Sequence, residues 1–368
     1  MSLFVENPGA APALEPDTHT GELLSLTFQP RPGETIQALC RRLADQLLDY
    51  SATPLHLLVF GDCRASTVVR ETLRQNLGRV DWPITWAEGA ACNGHPISGI
   101  QVQAFTGAVE RIAFGGRVVG SVFTDGGARQ CVVGGLAPED KKNSQAGQTR
   151  QALEDLQIVL AQAGFELADT VRTWFFLENI LSWYDDFNQV RTEIYSGVKF
   201  HTGSLPASTG VGAKNPSGAA LALAAWAFCP VGKNSYAEEV ASPLQCPAPA
   251  YGSSFSRALE TSTNGGRRLF ISGTASIAPG GKTLWTDDVR KQVELTMDVV
   301  EAILRSRGFE FADLTRVTAY FRRAVEAGVF AEWVAASGLT SLPVVFAQCD
   351  VCRDDLLFEL EADAEART

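Results

Sequence analysis

The stretch QTRQALEDLQIVLAQAGFELADTVRTWFFLEN, residues 148–179, recurs in altered form as KQVELTMDVVEAILRSRGFEFADLTRVTAYFRR, residues 291–323. In both, apolar residues fall three and four apart: Leu153, Leu156 and Leu160 in the first, Val293, Met297, Val300 and Leu304 in the second. That spacing lines one face of an amphipathic helix. Gly164 and Gly308 then stand where a helix commonly ends on a left-handed residue. Both copies continue as Gly-Phe-Glu-(Leu/Phe)-Ala-Asp and pass into an apolar run, 171–177 and 317–321, that reads as a strand.

The match extends outward on both sides. A second helix follows at about 184–198 and 327–337. A Pro then opens what reads as a hairpin, LPASTGVGAKNPSGAALALAAWAF (205–228) and LPVVFAQCDVCRDDLLFELEADAE (342–365). Paired strands are expected ahead of each copy, at 115–138 and 251–279. The order β-β-α-β-α-β-β thus occurs twice. A shortened third copy lies upstream: helix 34–50, strand 55–62, helix 66–77 and a Pro-opened hairpin at 83–107. The expected organisation is a 1–21 tail, units at 22–108, 109–229 and 251–366, and a Pro-rich linker at 230–250. Each unit is an α+β layer, a mixed sheet with helices on one face. The bare sheet faces must bury against something, and three in one chain can close on each other as an intramolecular pseudo-trimer. A monomer is expected, because that closure uses the surfaces a homotrimer would need.

Composition narrows the function classes. A net charge of −11 argues against non-specific binding to nucleic acid or an anionic membrane. No apolar stretch reaches transmembrane length, and the Pro-rich, acidic opening does not resemble a signal peptide, so a cytoplasmic protein is expected. The eight Cys are scattered, as reduced thiols are in such a chain. The four His, at 19, 56, 95 and 201, include no i, i+4 pair, which gives a His-based metal site little support. Cys349 and Cys352 are spaced as Cys-x-x-Cys, but three apart on a strand they point to opposite faces, so neither zinc nor a disulfide is expected of them. The Gly-rich SIAPGGKT (276–283) lacks phosphate-loop spacing and reads as a turn.

The stretch LLFELE, residues 356–361, places residues 356, 358 and 360 on one strand face and 357, 359 and 361 on the other. The first set is the apolar core face. Glu359 therefore points to the face available to a neighbouring unit, either as a solvated charge or as a carboxyl in a dry cleft. With Asp354-Asp355 as the hairpin loop, Cys352 pairs with Leu357 and stands beside Glu359; a three-residue loop separates them.

The last unit resembles the YjgF-type reactive-intermediate deaminases, through YGSSFSRA, LFISGTASI and the terminal hairpin. Those enzymes bind a carboxylate with an Arg two residues after the hairpin Pro. Val345 and Ser208 occupy that place here, which argues against an imine or enamine deaminase. Over about residues 20–365 the chain is similar to the chorismatase family, which fuses YjgF-like units in one polypeptide. RTWFFLENI, LPASTGVGAKNPSG, YGSSFSRA, LFISGTASIAPGG and VCRDDLLFELE carry that resemblance. It implies cleavage of the enolpyruvyl ether of chorismate with release of pyruvate, without metal or cofactor. One branch adds water and yields a dihydroxycyclohexadiene carboxylate. The other uses the substrate's C4 hydroxyl and ends at 3-hydroxybenzoate.

The family's catalytic Glu falls on Glu359, which the resemblance makes a general acid. The hydroxybenzoate-forming branch is similar in carrying a Cys at the place of Cys352, as a residue that shapes the pocket or assists proton movement. Chorismate is a dianion and needs Arg contacts. Arg257 among small residues, Arg322 at a strand end and Arg191 one turn before Tyr195 are the candidates, each with a surface charge as the alternative. Tyr320 alternates with Arg322. Ser256 and Thr274 are small hydroxyls on the opening strands of the last unit, suited to substrate hydrogen bonds or to close packing. Thr209 faces the last unit across the expected cleft.

Overall fold

The structure, a computed structural model, describes residues 21–92, 94–339 and 342–367; most of the tail at 1–21 lies outside them. The first unit runs β1 (Leu23–Phe28), α1 (Ile36–Asp49), β2 (Thr53–Gly61), α2 (Ser66–Leu77), β3 (Ile84–Ala87), β4 (Ala90–Ala91) and β5 (Ile97–Phe105). The second runs β6 (Glu110–Phe114), β7 (Arg117–Asp125), β8 (Ala128–Leu136), α3 (Gln145–Gln162), β9 (Thr170–Leu177), α4 (Tyr184–Ser196), β10 (Ala207–Gly212) and β11 (Leu221–Pro230). The third runs β12 (Tyr236–Val240), β13 (Ala258–Thr263), β14 (Gly266–Ala275), α5 (Val289–Ser306), β15 (Leu314–Phe321), α6 (Ala327–Ala336), β16 (Val344–Gln348) and β17 (Phe358–Arg367).

Local chemistry explains the repeated helix-to-strand passage. α3 and α5 start at Ser144 and Asp288, whose side chains accept from the backbone N–H of Gly147 and Lys291. Both give way to a left-handed glycine, Gly164 and Gly308. The Glu-x-x-Asp that follows closes a single tight turn: Asp169 accepts from the Glu166 N–H, and Asp313 from the Glu310 N–H. The chain then enters β9 or β15 on the same trajectory.

The described strands form three mixed sheets, ordered β1-β5-β2-β3, β10-β9-β11-β8-β7-β6 and β12-β13-β14-β17-β15-β16-β4. This corrects the hairpin expectation in all three copies. β10 pairs parallel with β9, β16 with β15 and β3 with β2, while the returning strands β11, β17 and β5 lie on the other side of the same central strand. A helix separates each parallel pair, which makes it a βαβ crossover rather than a hairpin. The stretch 230–250 is not a bare linker either, because β12 forms the edge of the third sheet. β13 begins only at Ala258, so residues 252–257 approach it as irregular chain rather than strand.

Helices cover one face of each sheet over separate cores, and the other faces meet in a shared core. Phe60, Phe176 and Tyr320 meet there edge-on, with Phe60 6.0 Å from Phe176 and 5.9 Å from Tyr320. The registers make these three residues equivalent. They pair with Gly99, Ala222 and Glu359 respectively. The chain is therefore a pseudo-trimer of like sheets.

Candidate active site

Along β17, Phe358, Leu360, Ala362 and Ala364 enter the helix-side core of the third unit. Glu359, Glu361 and Asp363 face the other units and are all buried. Glu361 and Asp363 are neutralised in place. Arg316 binds both, at 2.8 and 2.6 Å, and Arg172 of the second unit reaches Glu361 at 2.5 Å. Gln101 of the first unit accepts from Arg316 at 3.1 Å, so the network ties all three units. Burial pushes the Glu361 carboxyl up, but the two guanidiniums outweigh it and hold it down at about 2.

Glu359 has no such partner: no hydrogen bond to its carboxyl is made among the described residues. Burial, reinforced by the charge of Glu361, pushes it up to about 8, against the smaller opposing pull of Arg172 and Arg257. Its place is made by an irregularity in β14. Ile271 pairs with Ala362 and Thr274 with Leu360, so β14 carries one extra residue at a bulge. Gly273 sits in that bulge, and a Cβ there would run into the Glu359 carboxyl. The Gly273 N–H points to the second unit and donates to Thr209 Oγ1 at 3.0 Å.

The Glu359 carboxyl opens on a cavity between the second and third units, about 530 Å³ including its open mouth. Tyr184 and Arg191 from α4 and Ser208 from β10 form one wall; Tyr251, Phe255 and Arg257 form another. The loop before β17 closes it with Cys352 and Arg353. The three arginines are held by neutral groups. Arg257 donates to the Cys246 carbonyl at 3.0 Å, Arg353 to the Gly281 carbonyl at 2.7 Å, and Arg191 to Asn188 at 2.6 Å. Arg257 Nη2 and Arg191 Nε are buried without a partner among the described residues. With Glu359 protonated at neutral pH, the cavity presents three positive charges and one acidic proton. Such a site favours an anion with more than one negative group. Burial, then the nearby Glu359, pushes the Cys352 thiol up to about 12, which leaves it neutral at pH 7. Burial likewise raises the Tyr184 phenol.

Of the residues singled out in the sequence, Glu359, Cys352, Arg257 and Arg191 line this cavity. Thr209 lies just behind it. Four others do not line it. Tyr320 is fully buried at the meeting of the sheets, where its hydroxyl donates to Glu361 at 3.1 Å. β15 ends at Phe321, so the alternation that paired Tyr320 with Arg322 does not continue, and Arg322 sits half-exposed 3.8 Å from Asp350. Thr274 follows the bulge, and its hydroxyl turns back to the Ser272 carbonyl at 2.8 Å. Ser256 is bound into the junction between units, accepting from Ser272 on its carbonyl and donating its N–H to Pro206. Cys352 reaches the cavity from an irregular loop instead of a strand pairing, while Cys349 is buried in the shared core. Arg353, Tyr184, Tyr251 and Phe255 were not foreseen. Arg353, adjacent to Cys352, and Tyr251 and Phe255, within YGSSFSRA, lie in the quoted motifs, whereas Tyr184 carried no signal in the sequence.

The other two unit junctions are built alike but lack the acid. At the place of Glu359 they carry Ala222 and Gly99, and Val345 fills the space against Gly99.

The fold and site define an α+β protein of three like units with one buried, protonated carboxyl in a basic cavity. Residues 127–222 match the family model for endoribonuclease L-PSP. The chain is 27% identical over 254 residues to a 3-hydroxybenzoate synthase of Streptomyces hygroscopicus, a match covering 62% of this chain and 71% of that protein. It is also 27% identical over 213 residues to a chorismatase of the same organism, covering 52% of this chain and 60% of that one. A chorismatase crystal structure superposes with a TM-score of 0.67 at 20% identity, over 95% of this chain and 100% of that one, a likeness of fold. Over most of its length the chain is similar to 3-hydroxybenzoate synthase and chorismatase, and part of its second unit matches the L-PSP family model.

Proposed function

We propose that this protein cleaves the enolpyruvyl ether of chorismate and releases pyruvate, with Glu359 as general acid and 3-hydroxybenzoate as the second product. The observation that carries the reading is the carboxyl itself: buried, raised to about 8, and facing arginines that have no carboxylate partner among the described residues. An enol ether is cleaved by delivering a proton to its methylene carbon, which leaves an oxocarbenium centre on the carbon bearing the ether oxygen. A carboxyl that keeps its proton at pH 7 supplies that step. Arg191, Arg257 and Arg353 bind the two carboxylates of the dianion. Chorismate divides into 3-hydroxybenzoate and pyruvate with no water consumed; the hydrolytic alternative consumes one and gives a dihydroxycyclohexadiene carboxylate. The neutral Cys352 thiol lines the same cavity as the acid, and the likeness to a 3-hydroxybenzoate synthase supports the first outcome.

Incubation with chorismate, with pyruvate followed by a coupled dehydrogenase and the second product separated by HPLC, tests the reaction. Pyruvate and 3-hydroxybenzoate in equal amounts are expected, and no pyruvate release overturns the reading. In water enriched in ¹⁸O the aromatic product is expected to carry no label; a dihydroxycyclohexadiene carboxylate in place of 3-hydroxybenzoate, with the solvent oxygen entering at the carbon that becomes the pyruvate carbonyl, assigns the hydrolytic course.

A further inference from the structure

We propose that Thr209 is a positioning residue for Glu359, acting across the junction between units by holding the β14 bulge against which the carboxyl rests. The inference rests on Glu359 being the acid of the proposed reaction. The Thr209 hydroxyl is a filled node. It accepts from the Gly273 N–H at 3.0 Å and from Arg172 Nη2 at 2.7 Å, and its proton serves the Glu361 carboxylate. Its methyl group would lie 3.3 Å from a Cβ on Gly273. The Gly273 N–H, turned away from β17 by the bulge, thus finds its acceptor on another unit. Ser208 next to it donates its N–H to Ser272 Oγ at 2.9 Å, which pins the other side of the same bulge.

The first junction supplies an internal comparison. There Thr85, register-equivalent to Thr209, accepts from the Gly135 N–H at 2.8 Å, and His56 takes the place of Arg172 at 2.8 Å. The node is therefore shared by two junctions, but only at Thr209 does a carboxyl lie against the strand it holds. The ionisable groups around that carboxyl come from every side: Tyr184 and Arg191 of α4, Arg172 of β9, Arg257 ahead of β13, Cys352 and Arg353 of the loop, and Glu361 on its own strand. Releasing the bulge admits water and lowers the hold on the proton without removing any of these charges.

The test compares Thr209→Val, which keeps shape and loses the hydroxyl, with Thr209→Ser, which keeps the hydroxyl, and with Thr85→Val as control. Two readouts are taken. One is kcat and KM for pyruvate release. The other is the titration of the protonated-carboxyl infrared band that Glu359→Gln removes, which needs no substrate. T209V is expected to lower kcat on the order of 10²-fold with little change in KM, as small displacements of a reacting group do, and to move the Glu359 titration to lower pH. T209S is expected to restore both. T85V is expected to lower thermal stability while leaving the titration in place. An unchanged titration in T209V, or a loss confined to KM, overturns the proposal. A shifted titration in a protein that releases no pyruvate from chorismate sustains the positioning role and overturns the proposed reaction instead. Should T209V not fold, T209S against Thr209→Ala gives the same comparison.

Discussion

At the residue scale, Glu359 and Glu361 show how two carboxyls two positions apart acquire opposite characters. Both lost water, but Glu361 gained two guanidiniums and Glu359 gained none at bonding distance. The Glu359→Gln variant is expected to lose about 10²–10⁴-fold in kcat, the range of general acid catalysis. For the wild type, kcat/KM is expected to be flat through neutral pH and to fall as pH rises through about 8, because the acid must carry its proton. The stability effect has the opposite benefit. A carboxyl whose native pKa is raised from 4.5 to about 8 binds its proton in the folded state when the unfolded chain has released it. It therefore costs stability progressively as pH rises across that window. Thermal melts should find E359Q more stable than wild type, with a gap that widens from pH 5 to pH 8. Among the arginines, Arg257→Ala is expected to raise KM at least ~10-fold, the worth of a hydrogen bond to a charged group. Arg322→Ala, a half-exposed residue outside the cavity, should stay near wild type in the same assay.

At the element scale, the alternation along β17 was readable: an apolar set on one face and acids on the other. The bulge in β14 was not. A bulge is one residue of extra backbone, and SGTAS carries no pattern that separates it from a regular small-residue strand. Yet it decides where Glu359 can sit. Gly273→Ala is expected to abolish pyruvate release while leaving the fold cooperative in urea, because the added methyl takes the carboxyl's place. The Pro-opened segments misled for a related reason. Two strand-like runs joined by a loop look alike in sequence whether they pair with each other or straddle a third strand. Here β15 lies between β16 and β17, and the loop that spans it is the one that brings Cys352 and Arg353 over the acid.

At the scale of the whole molecule, an ionic network at the pseudo-threefold junction replaces the apolar packing that Phe60, Phe176 and Tyr320 supply beside it. Arg316→Met should be strongly destabilising in urea unfolding, about 3–5 kcal/mol, because it strands Glu361 and Asp363 as buried, under-compensated charges. The closure of three sheets on one another uses their bare faces, so light scattering is expected to find one chain per particle. Carrying three like units in one polypeptide also lets the junctions differ. One keeps a carboxyl where the others have Ala222 and Gly99, so a single acid-bearing cavity is left where a homotrimer would have three alike.

The sequence by itself determined the repeat, the helix and strand order, the face on which Glu359 lies and the family likeness. These are properties of periodicity and local capping, written within a few dozen residues. Which cations meet which carboxylates was decided only by tertiary structure. Arg172, Arg191 and Tyr184 lie in one unit and Glu359 and Glu361 in another, and nothing in the spacing of either segment records the other. Tyr320 and Arg322 illustrate the limit: side-chain alternation placed them together, but the strand ended between them. Desolvation acts in the same way. The proton on Glu359 is held by burial and by the lack of a hydrogen-bond partner among the described residues, and both depend on how three sheets close.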